Sequence, residues 1–255
     1  MVINKKEKKS LNKYDKSSNR SKNWDIKDLR RFYEKEAEWK KFWGSKSRRC
    51  LSENILTELP KNKSCILEIG FGDGYLASLI KRKGHKVVGI DISLERTKQA
   101  LKNVPTAHFI VAEAKTLPFP NETFDIAICA ETLEHVPQFE NAIQEANSVL
   151  KSHGYFLVTV PYGESLIKIT FPYCQETFNS MGHINFFTIE SITKIMRENE
   201  FRIIKIYSFG SRIAYNQLIY WIPRFRAVRR WLDKLAQKIS MNSAKWIMVL
   251  VEKNY

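Results

Sequence analysis

The sequence has little of the material that marks several classes of protein. Its 255 residues include only ten glycines, eight prolines and four cysteines. So few glycines and prolines exclude a collagen-like repeat and a low-complexity linker protein. The cysteines are scattered without a Cys-x-x-Cys pair, which disfavours a zinc site and a disulfide framework. We expect buried free thiols at Cys50, Cys65, Cys129 and Cys174.

Long apolar runs are also missing. No stretch approaches the roughly 18 consecutive apolar residues of a membrane span. The first ten residues, MVINKKEKKS, lack the apolar segment of a secretory signal, so the chain is expected to stay in the cytoplasm. Apolar side chains are nevertheless 44% of the total, which is enough for a large core and excludes a disordered protein.

Charge is unevenly distributed along the chain. The formal net charge is +15, but the excess of Lys and Arg lies in residues 1–49 and 210–255, and the middle is nearly neutral. Such ends could meet anionic partners such as phospholipid head groups, nucleic acid or a phosphorylated substrate. Residues 1–22, which are poor in apolar side chains, are expected to form a flexible basic tail, and residues 23–60 a helical cap.

From residue 64 onward, short apolar runs alternate with amphipathic segments, including a helix predicted over 138–154. Near-continuous apolar strands separated by amphipathic helices predict an α/β fold with a parallel sheet covered on both faces. One domain, residues 61–255, would hold this sheet, a pocket insertion (162–187) and a basic amphipathic insertion (210–244). The seven predicted strands are SCILEIG, KVVGIDI, AHFIVAEA, FDIAICA, YFLVTVP, RIIKIYSF and KWIMVLVEK.

Glycines cluster where the first predicted strand meets the first helix. Glu68, Gly70, Gly72 and Gly74 form E-x-G-x-G-x-G. A tight turn without Cβ atoms lets a ligand lie against the backbone at a helix N-terminus. The third glycine comes too early for the dinucleotide pattern G-x-G-x-x-G, which disfavours NAD. Asp91, at the end of the second strand, could accept both hydroxyls of a ribose, or it could only complement the dipole of the next helix.

Longer stretches of sequence resemble a known family. They are ILEIGFGDGYLASLIKRKGHKVVGIDIS, AEA at 112–114, FDIAICAETLEHV at 124–136 and GHINFFT at 182–188. Together they resemble the class I S-adenosylmethionine-dependent methyltransferases, in the UbiG-like small-molecule branch (type 11/23-like), over roughly residues 64–209. The resemblance implies a Rossmann-like seven-stranded methyltransferase sheet with its last strand antiparallel, plus helical N-terminal and C-terminal attachments.

The resemblance also implies a site for S-adenosylmethionine, whose product is S-adenosylhomocysteine. By position, the three glycines would line the methionine part, and Glu68 would support their turn. Asp91 would hold the ribose hydroxyls, and Ala130 with Glu131 would lie beside the sulfonium. The residues implied to contact the adenine are Ile92, Glu113 and Ala114.

Methyl transfer from a sulfonium requires mainly alignment, but an oxygen acceptor must also lose a proton to a base or beside a metal. Glu131, Glu134 and His135, at i, i+3 and i+4, are predicted to share one side of a helical turn. They could bind a divalent ion, as the resemblance implies, or supply a base, or only cap and solvate the turn. His183 is a second candidate base, with simple packing as the alternative.

The acceptor has to be inferred from the attachments. Residues 222–239 place an apolar stripe opposite Arg and Lys side chains, which suits packing on the sheet or contact with an anionic membrane surface. We therefore predict O-methylation of a small or lipid-like metabolite by a cytoplasmic enzyme, with peripheral membrane contact. The alternatives are an RNA methyltransferase that uses the basic ends, and a non-catalytic cofactor-binding partner subunit.

Overall fold

A computed structural model describes residues 45–162, 182–210 and 244–254, together with Arg30 and the backbone of two short strands at 168–170 and 177–179. The predicted basic tail (1–22) and the amphipathic segment at 222–239 lie outside the described residues. So do most of the pocket insertion and the first part of the predicted cap.

Within the described part of the chain, strands and helices alternate. In chain order they are α1 (Ser45–Glu58), β1 (Cys65–Ile69), α2 (Tyr75–Arg82), β2 (Lys86–Asp91), α3 (Leu94–Asn103), β3 (His108–Val111), β4 (Phe124–Ala130), a 3-10 turn (Leu133–His135), α4 (Phe139–Val149), β5 (Leu150–Pro161), β6 (Lys168–Thr170), β7 (Thr177–Asn179), α5 (Ile189–Glu198), β8 (Phe201–Phe209) and β9 (Trp246–Lys253).

Seven of these strands form one sheet in the order β3-β2-β1-β4-β5-β9-β8. Strands β1 to β5 are parallel, whereas β9 runs antiparallel to both of its neighbours. The predicted α/β class, with a seven-stranded Rossmann-like sheet whose last strand is antiparallel, is confirmed. Because Ile69 pairs with both Ile90 and Cys129, the carboxyl ends of β1, β2 and β4 meet at one edge of the sheet.

Apolar side chains cover both faces of the sheet, as predicted. Leu67 and Ile69 of β1 pack into a cluster with α4 and α5. Ile66, which precedes Leu67, points to the opposite face and packs with α1 and α2, where Ile55 and Ile80 are fully buried. Helix α1 therefore belongs to the layer that covers the sheet.

Two predicted boundaries are wrong. The helix predicted over 138–154 ends at Val149, because Leu150 already pairs with Phe124 and starts β5. The third strand ends at Val111, since the backbone turns between Glu113 and Thr116 soon after leaving the sheet. In the part of the chain that the structure describes, no helix has the length and apolar character needed to span a bilayer.

Candidate active site

A cavity of about 270 Å³ opens at the carboxyl ends of β1, β2, β3 and β4. It lies beside the point where the strand order reverses between β1 and β4, which is where open α/β sheets bind ligands. Helix α1 closes one side of it through Arg48, Leu51 and Ser52. The acidic side chains around it are those of Glu68, Asp73, Asp91, Glu113 and Glu131.

The turn between β1 and α2 forms one wall of the cavity. Gly70 and Gly72 have left-handed backbone conformations, with φ of 79° and 58°. A Cβ atom on Gly70 would lie 2.2 Å from Oγ1 of Thr132, which is itself held by the carbonyl of Ala130. Glycine at position 70 therefore lets the loop after β4 approach the turn closely and leaves backbone exposed to the cavity.

Asp91 is fixed at the end of β2 by backbone amides. Its Oδ2 atom accepts a hydrogen bond from the N–H of Gly72 at 3.0 Å, and Oδ1 accepts one from Ser93 at 3.0 Å. Ser93 also caps α3, since its side chain accepts a hydrogen bond from the N–H of Arg96. Because a carboxylate oxygen can accept more than one hydrogen bond, Asp91 presents an oriented acceptor to the cavity.

Glu68 is a buried carboxyl group in the same wall. Only 3% of its surface is exposed, and among the described residues no group donates a hydrogen bond to Oε2. Burial raises the pKa of Glu68 well above its usual value, and the nearby carboxylates of Asp73 and Asp91 raise it further. A ligand that brings a positive charge or a hydrogen-bond donor to this position would relieve both costs.

The structure brings most of the predicted cofactor residues to this cavity. Gly74 is the exception, because it packs instead against α3, where its Cβ would lie 3.1 Å from that of Ala100. Arg48 also lines the cavity, although it was not among the residues predicted from the sequence. Its guanidinium binds Asp73 at 2.6 Å and lies over the ring of Tyr75. The predicted residues that line the cavity are Glu68, Gly70, Gly72, Asp91, Ile92, Glu113, Ala114 and Ala130.

A second group of polar side chains lies beside the cavity. Ligand atoms of Glu134, His135 and His183 are all within 4.8 Å of one another. His135 lines the cavity, whereas His183 is 4% exposed and packs its ring edge-on against His135 at 4.7 Å between centroids. Nδ1 of His135 lies 3.1 Å from the carbonyl oxygen of Gly182. The fold thus brings together His135 and His183, which are 48 positions apart in sequence.

Backbone hydrogen bonds hold this pair of segments together. The carbonyl of Glu134 accepts hydrogen bonds from Ile184 at 2.8 Å and from Asn185 at 3.0 Å. The side-chain amide of Asn185 donates to the carbonyls of Leu133 and Val136 at 2.8 and 2.7 Å. His135 and His183 are therefore positioned by the ordered backbone around them.

Glu131 does not join this group, although it lines the cavity. The predicted shared face of Glu131, Glu134 and His135 requires a helix from residue 131. Glu131 instead has φ of 53°, and the 3-10 turn starts at Leu133. Its carboxylate accepts hydrogen bonds from Trp246 Nε1 at 2.7 Å and from Thr159 at 3.4 Å. The side chain is therefore oriented toward β5 and β9.

The fold and the cavity define an α/β protein with a ligand-sized cavity at the carboxyl edge of its sheet, and comparison with known proteins identifies its family. A family model described as methyltransferase domain (Methyltransf_23) matches residues 42–206. The chain belongs to this family, and it is a class I methyltransferase that depends on S-adenosylmethionine.

Two similar proteins and one similar solved structure illustrate the likeness. The ubiquinone/menaquinone biosynthesis C-methyltransferase UbiE of Rickettsia massiliae is 30% identical over 195 residues, which are 67% of this chain and 77% of that protein. The uncharacterized protein MJ1252 of Methanocaldococcus jannaschii is 34% identical over 133 residues, 52% of this chain and 51% of that protein. The chain thus matches about half the length of MJ1252. A SAM-dependent methyltransferase from Methanosarcina mazei has the same fold, with a TM-score of 0.57 and 20% identity over 79% of this chain and 97% of that one.

Proposed function

We propose that the protein transfers the methyl group of S-adenosylmethionine to an oxygen atom of a small or lipid-like metabolite. The observation that carries the choice of oxygen is His135, an imidazole on the wall of the cavity beside the proposed cofactor site. An oxygen acceptor needs a base near the reacting atom, because a neutral hydroxyl is a weak nucleophile.

The residues of the cavity fit the proposed cofactor. The turn at Gly70 and Gly72 leaves room for a ligand against the backbone, and Asp91 offers an oriented acceptor for ribose hydroxyls. The buried Oε2 of Glu68 suits a donor such as an ammonium group. The residues proposed for the adenine side are Ile92, Glu113 and Ala114.

When bound, S-adenosylmethionine supplies a methyl group on a positively charged sulfur, so the protein has mainly to align the acceptor. His135 would take the acceptor proton. A carbonyl oxygen can only accept, so the contact with Gly182 requires the proton of neutral His135 to be on Nδ1. Nε2 then remains as the accepting nitrogen. Glu134 Oε1, at 3.8 Å from Nε2, would stabilise the imidazolium. His183 would act by positioning the ring of His135.

A divalent ion is the second candidate for activating the hydroxyl. Two imidazoles and one carboxylate within 4.8 Å form a donor set that suits a first-row divalent metal. Glu134, His135 and His183 would hold the ion, which would lower the pKa of a hydroxyl bound to it. This set differs from the one predicted from the sequence, because His183 replaces Glu131.

Two other acceptors remain as alternatives. The relative UbiE is named a C-methyltransferase, so carbon is the alternative atom. RNA would have to engage the basic ends, which lie mainly outside the described residues.

A role as a non-catalytic partner subunit would require cofactor binding without turnover. The peripheral membrane contact predicted from the sequence depends on residues 222–239, which also lie outside the described residues.

The test follows labelled methyl groups from S-adenosylmethionine into separate small-molecule, lipid and RNA fractions of a cell extract. We expect label in a small-molecule or lipid product, with mass spectrometry locating the new methyl group on oxygen. Repeating the assay after treatment with a chelator, and again with added Mn²⁺ or Zn²⁺, separates the base from the metal. Label only in RNA, or on carbon, would contradict the proposal.

A further inference from the structure

Positive side chains collect at the edge of the sheet opposite the cavity. Helix α2 begins at Tyr75 beside the cavity and ends at Arg82. Strand β2 then starts at Lys86, which pairs with Cys65, the first residue of β1. Because β1 and β2 are parallel, these ends lie together at the amino edge of the sheet. The cations there form the amino-edge patch: Lys61, Lys63, Lys81, Arg82, Lys83 and Lys86.

Contacts join the loop before β1 to the turn between α2 and β2, and the two segments together carry the patch. The N–H of Lys86 donates to the carbonyl of Ser64 at 3.0 Å, and the N–H of Ser64 donates to Nδ1 of His85 at 3.2 Å. A Cβ atom on Gly84 would lie 3.8 Å from Cε of Lys63. The charges are therefore held on neighbouring, hydrogen-bonded backbone.

Carboxylates do not neutralise the patch. Within the described ranges, none of its six side chains forms an ion pair with an acid. Lys81 donates from Nζ to the carbonyl of Thr106 at 2.6 Å. Lys83 donates from Nζ to the carbonyl of Leu56 at 2.9 Å. Because a carbonyl is uncharged, both ammonium groups keep their full positive charge.

The acids that flank the patch have other partners. Asp125, at the amino end of β4, accepts hydrogen bonds from Nζ of Lys151 and from the N–H of Cys65, both at 2.7 Å. Glu58, at the end of α1, accepts one from Nζ of Lys205 at 2.7 Å. The acids around the cavity lie at the opposite, carboxyl edge. Positive and negative charge are therefore separated across the sheet.

The dipole of α2 explains only half of the patch. Cations stabilise the carboxyl end of a helix, which accounts for Lys81, Arg82 and Lys83. The other three cations lie in a loop and at the start of a strand. Like charges gathered on one surface repel one another and create a positive potential that attracts polyanions. The patch is therefore suited to a chain of phosphates.

The side chains of this edge favour a nucleic-acid duplex over a lipid bilayer. Between residues 59 and 93, all of which the structure describes, no large apolar side chain is exposed. Stable attachment to a membrane requires an apolar or lipid anchor in addition to basic side chains. Phosphate contacts from Lys and Arg, by contrast, supply essentially all of the affinity of sequence-independent binding to nucleic acid. The lack of exposed aromatic rings disfavours a single strand, whose bases stack on such rings.

We propose that the amino-edge patch is a docking surface for the phosphate backbone of a nucleic-acid duplex. Its Lys and Arg side chains contact phosphates without contacting bases, and binding releases the counterions condensed on the duplex. Because the patch and the cavity lie at opposite edges of the sheet, the docked duplex is a partner and not the methyl acceptor. This inference goes beyond the proposed function and does not depend on it.

The test measures the binding of fluorescein-labelled RNA and DNA duplexes to the full chain by fluorescence anisotropy, between about 50 and about 200 mM salt. The two duplexes should bind with similar affinity, because both present phosphates. The basic ends of the chain can also contact phosphates. The informative quantity is therefore the difference between two variants that lose the same charge at different surfaces.

Each of these two variants replaces two lysines and one arginine, all of them exposed, by glutamine. The patch variant carries Lys63→Gln, Arg82→Gln and Lys86→Gln. The control variant changes cations on α3 and α5 and carries Lys102→Gln, Lys194→Gln and Arg197→Gln. None of the six residues lines the cavity, so both variants should bind S-adenosylhomocysteine normally. A thermal melt of each variant shows that it is folded.

In the patch variant we expect the slope of log K against log salt concentration to fall in magnitude by about 3, because each lost phosphate contact lowers it by about 1. The control variant should change the slope by less than about 1. A third variant, with Lys63→Arg, Arg82→Lys and Lys86→Arg, keeps the charges and should keep the slope.

Three results would overturn the inference. The unaltered protein does not bind a duplex, or the patch and control variants change the slope equally, which would show that only net charge is involved. The third result concerns vesicles of phosphatidylglycerol and phosphatidylcholine. If the patch substitutions abolish vesicle binding but leave duplex binding equal to that of the control variant, the patch contacts a membrane surface instead. None of these results affects the proposed function, which methyl transfer tests separately.

Discussion

The side chain of Asp91 connects the backbone of the glycine turn to the end of β2. Its two oxygens accept from Gly72 and Ser93, so the carboxylate orients the turn and also faces the cavity. Truncation of this side chain is therefore expected to affect ligand binding more than a surface substitution would.

We expect Asp91→Ala to weaken binding of S-adenosylhomocysteine by about 10-fold or more, because the buried ribose hydroxyls lose a charged acceptor. Titration calorimetry measures the change. Glu95→Ala serves as the control and should bind normally, because Glu95 is a partly exposed acid on the following helix that does not line the cavity. Unchanged affinity in Asp91→Ala, in a variant that melts like the unaltered protein, would remove Asp91 from the ribose site.

His135 is the proposed base, so its substitution distinguishes an effect on turnover from an effect on cofactor binding. His135→Asn removes the proposed base while keeping a polar side chain, so we expect turnover to fall by about 10²–10⁴-fold with little change in cofactor affinity. The control is His108→Asn, because His108 is exposed on β3 and does not line the cavity. Full turnover in His135→Asn would exclude both the base and the metal ligand at this position.

At the scale of elements, the turn between β1 and α2 and the loop after β4 are built to fit each other. A methyl group on Gly70 would overlap the side chain of Thr132, and Thr132 is fixed by carbonyls at the ends of β1 and β4. The cavity wall is therefore a contact between two loops that neither loop can form alone.

This contact gives a prediction about stability. Gly70→Ala should lower the free energy of unfolding by about 1–3 kcal/mol through overpacking and backbone strain. Urea denaturation measures it. Gly84→Ala is the matched control, because Gly84 also has a left-handed φ of 92° but its Cβ would lie 3.8 Å from the nearest side-chain atom, on Lys63. Adding Thr132→Ala to Gly70→Ala should recover part of the loss. Equal losses at both glycines would show that only strain is involved.

The last strand of the sheet, β9, determines the direction in which the side chain of Glu131 points. Because β9 is inserted antiparallel beside β5, it brings Trp246 to the end of β5, where the indole N–H donates to Glu131. Glu131 is thereby linked to the last strand of the chain. This hydrogen bond connects the cavity wall that follows Ala130 to β9, a contact that the spacing of Glu131 from Glu134 and His135 did not indicate.

At the scale of the whole molecule, positive charge is concentrated in the terminal parts of the sequence. The described cavity is lined by both negatively and positively charged side chains. For a small or lipid-like acceptor we expect methyl transfer to change little between about 50 and about 200 mM salt. An RNA acceptor held by six to ten phosphate contacts would lose about 10³–10⁵-fold in affinity over that range.

Initial rates at limiting acceptor concentration measure this salt dependence. Binding of S-adenosylhomocysteine in the same buffers is the control, because it shows whether the cofactor site itself responds to salt. A steep loss of transfer while cofactor binding is retained would contradict the small acceptor and favour RNA.

The residues of the proposed cofactor side could be predicted from the sequence to lie together, because their determinants are local. Gly70 follows directly after one apolar strand and Asp91 ends the next, and parallel strands of one sheet place their carboxyl ends at a common edge. The acceptor side could not be predicted in the same way. Arg48 reaches the cavity only because α1 packs on the sheet, and His183 reaches His135 only through backbone pairing between Glu134 and Asn185.

The sequence by itself determined the α/β class and the edge of the sheet at which a ligand would bind, because hydrophobic periodicity and glycine turns act over a few neighbouring residues. The antiparallel direction of the last strand was implied only by the family resemblance. Tertiary structure decided which distant side chains meet. It oriented Glu131 toward Trp246 and placed His183 behind His135. It also buried Glu68 without a donor for Oε2 among the described residues. These outcomes depend on packing between segments far apart in the chain, where a small change in backbone direction, such as the positive φ at Glu131, selects a different partner.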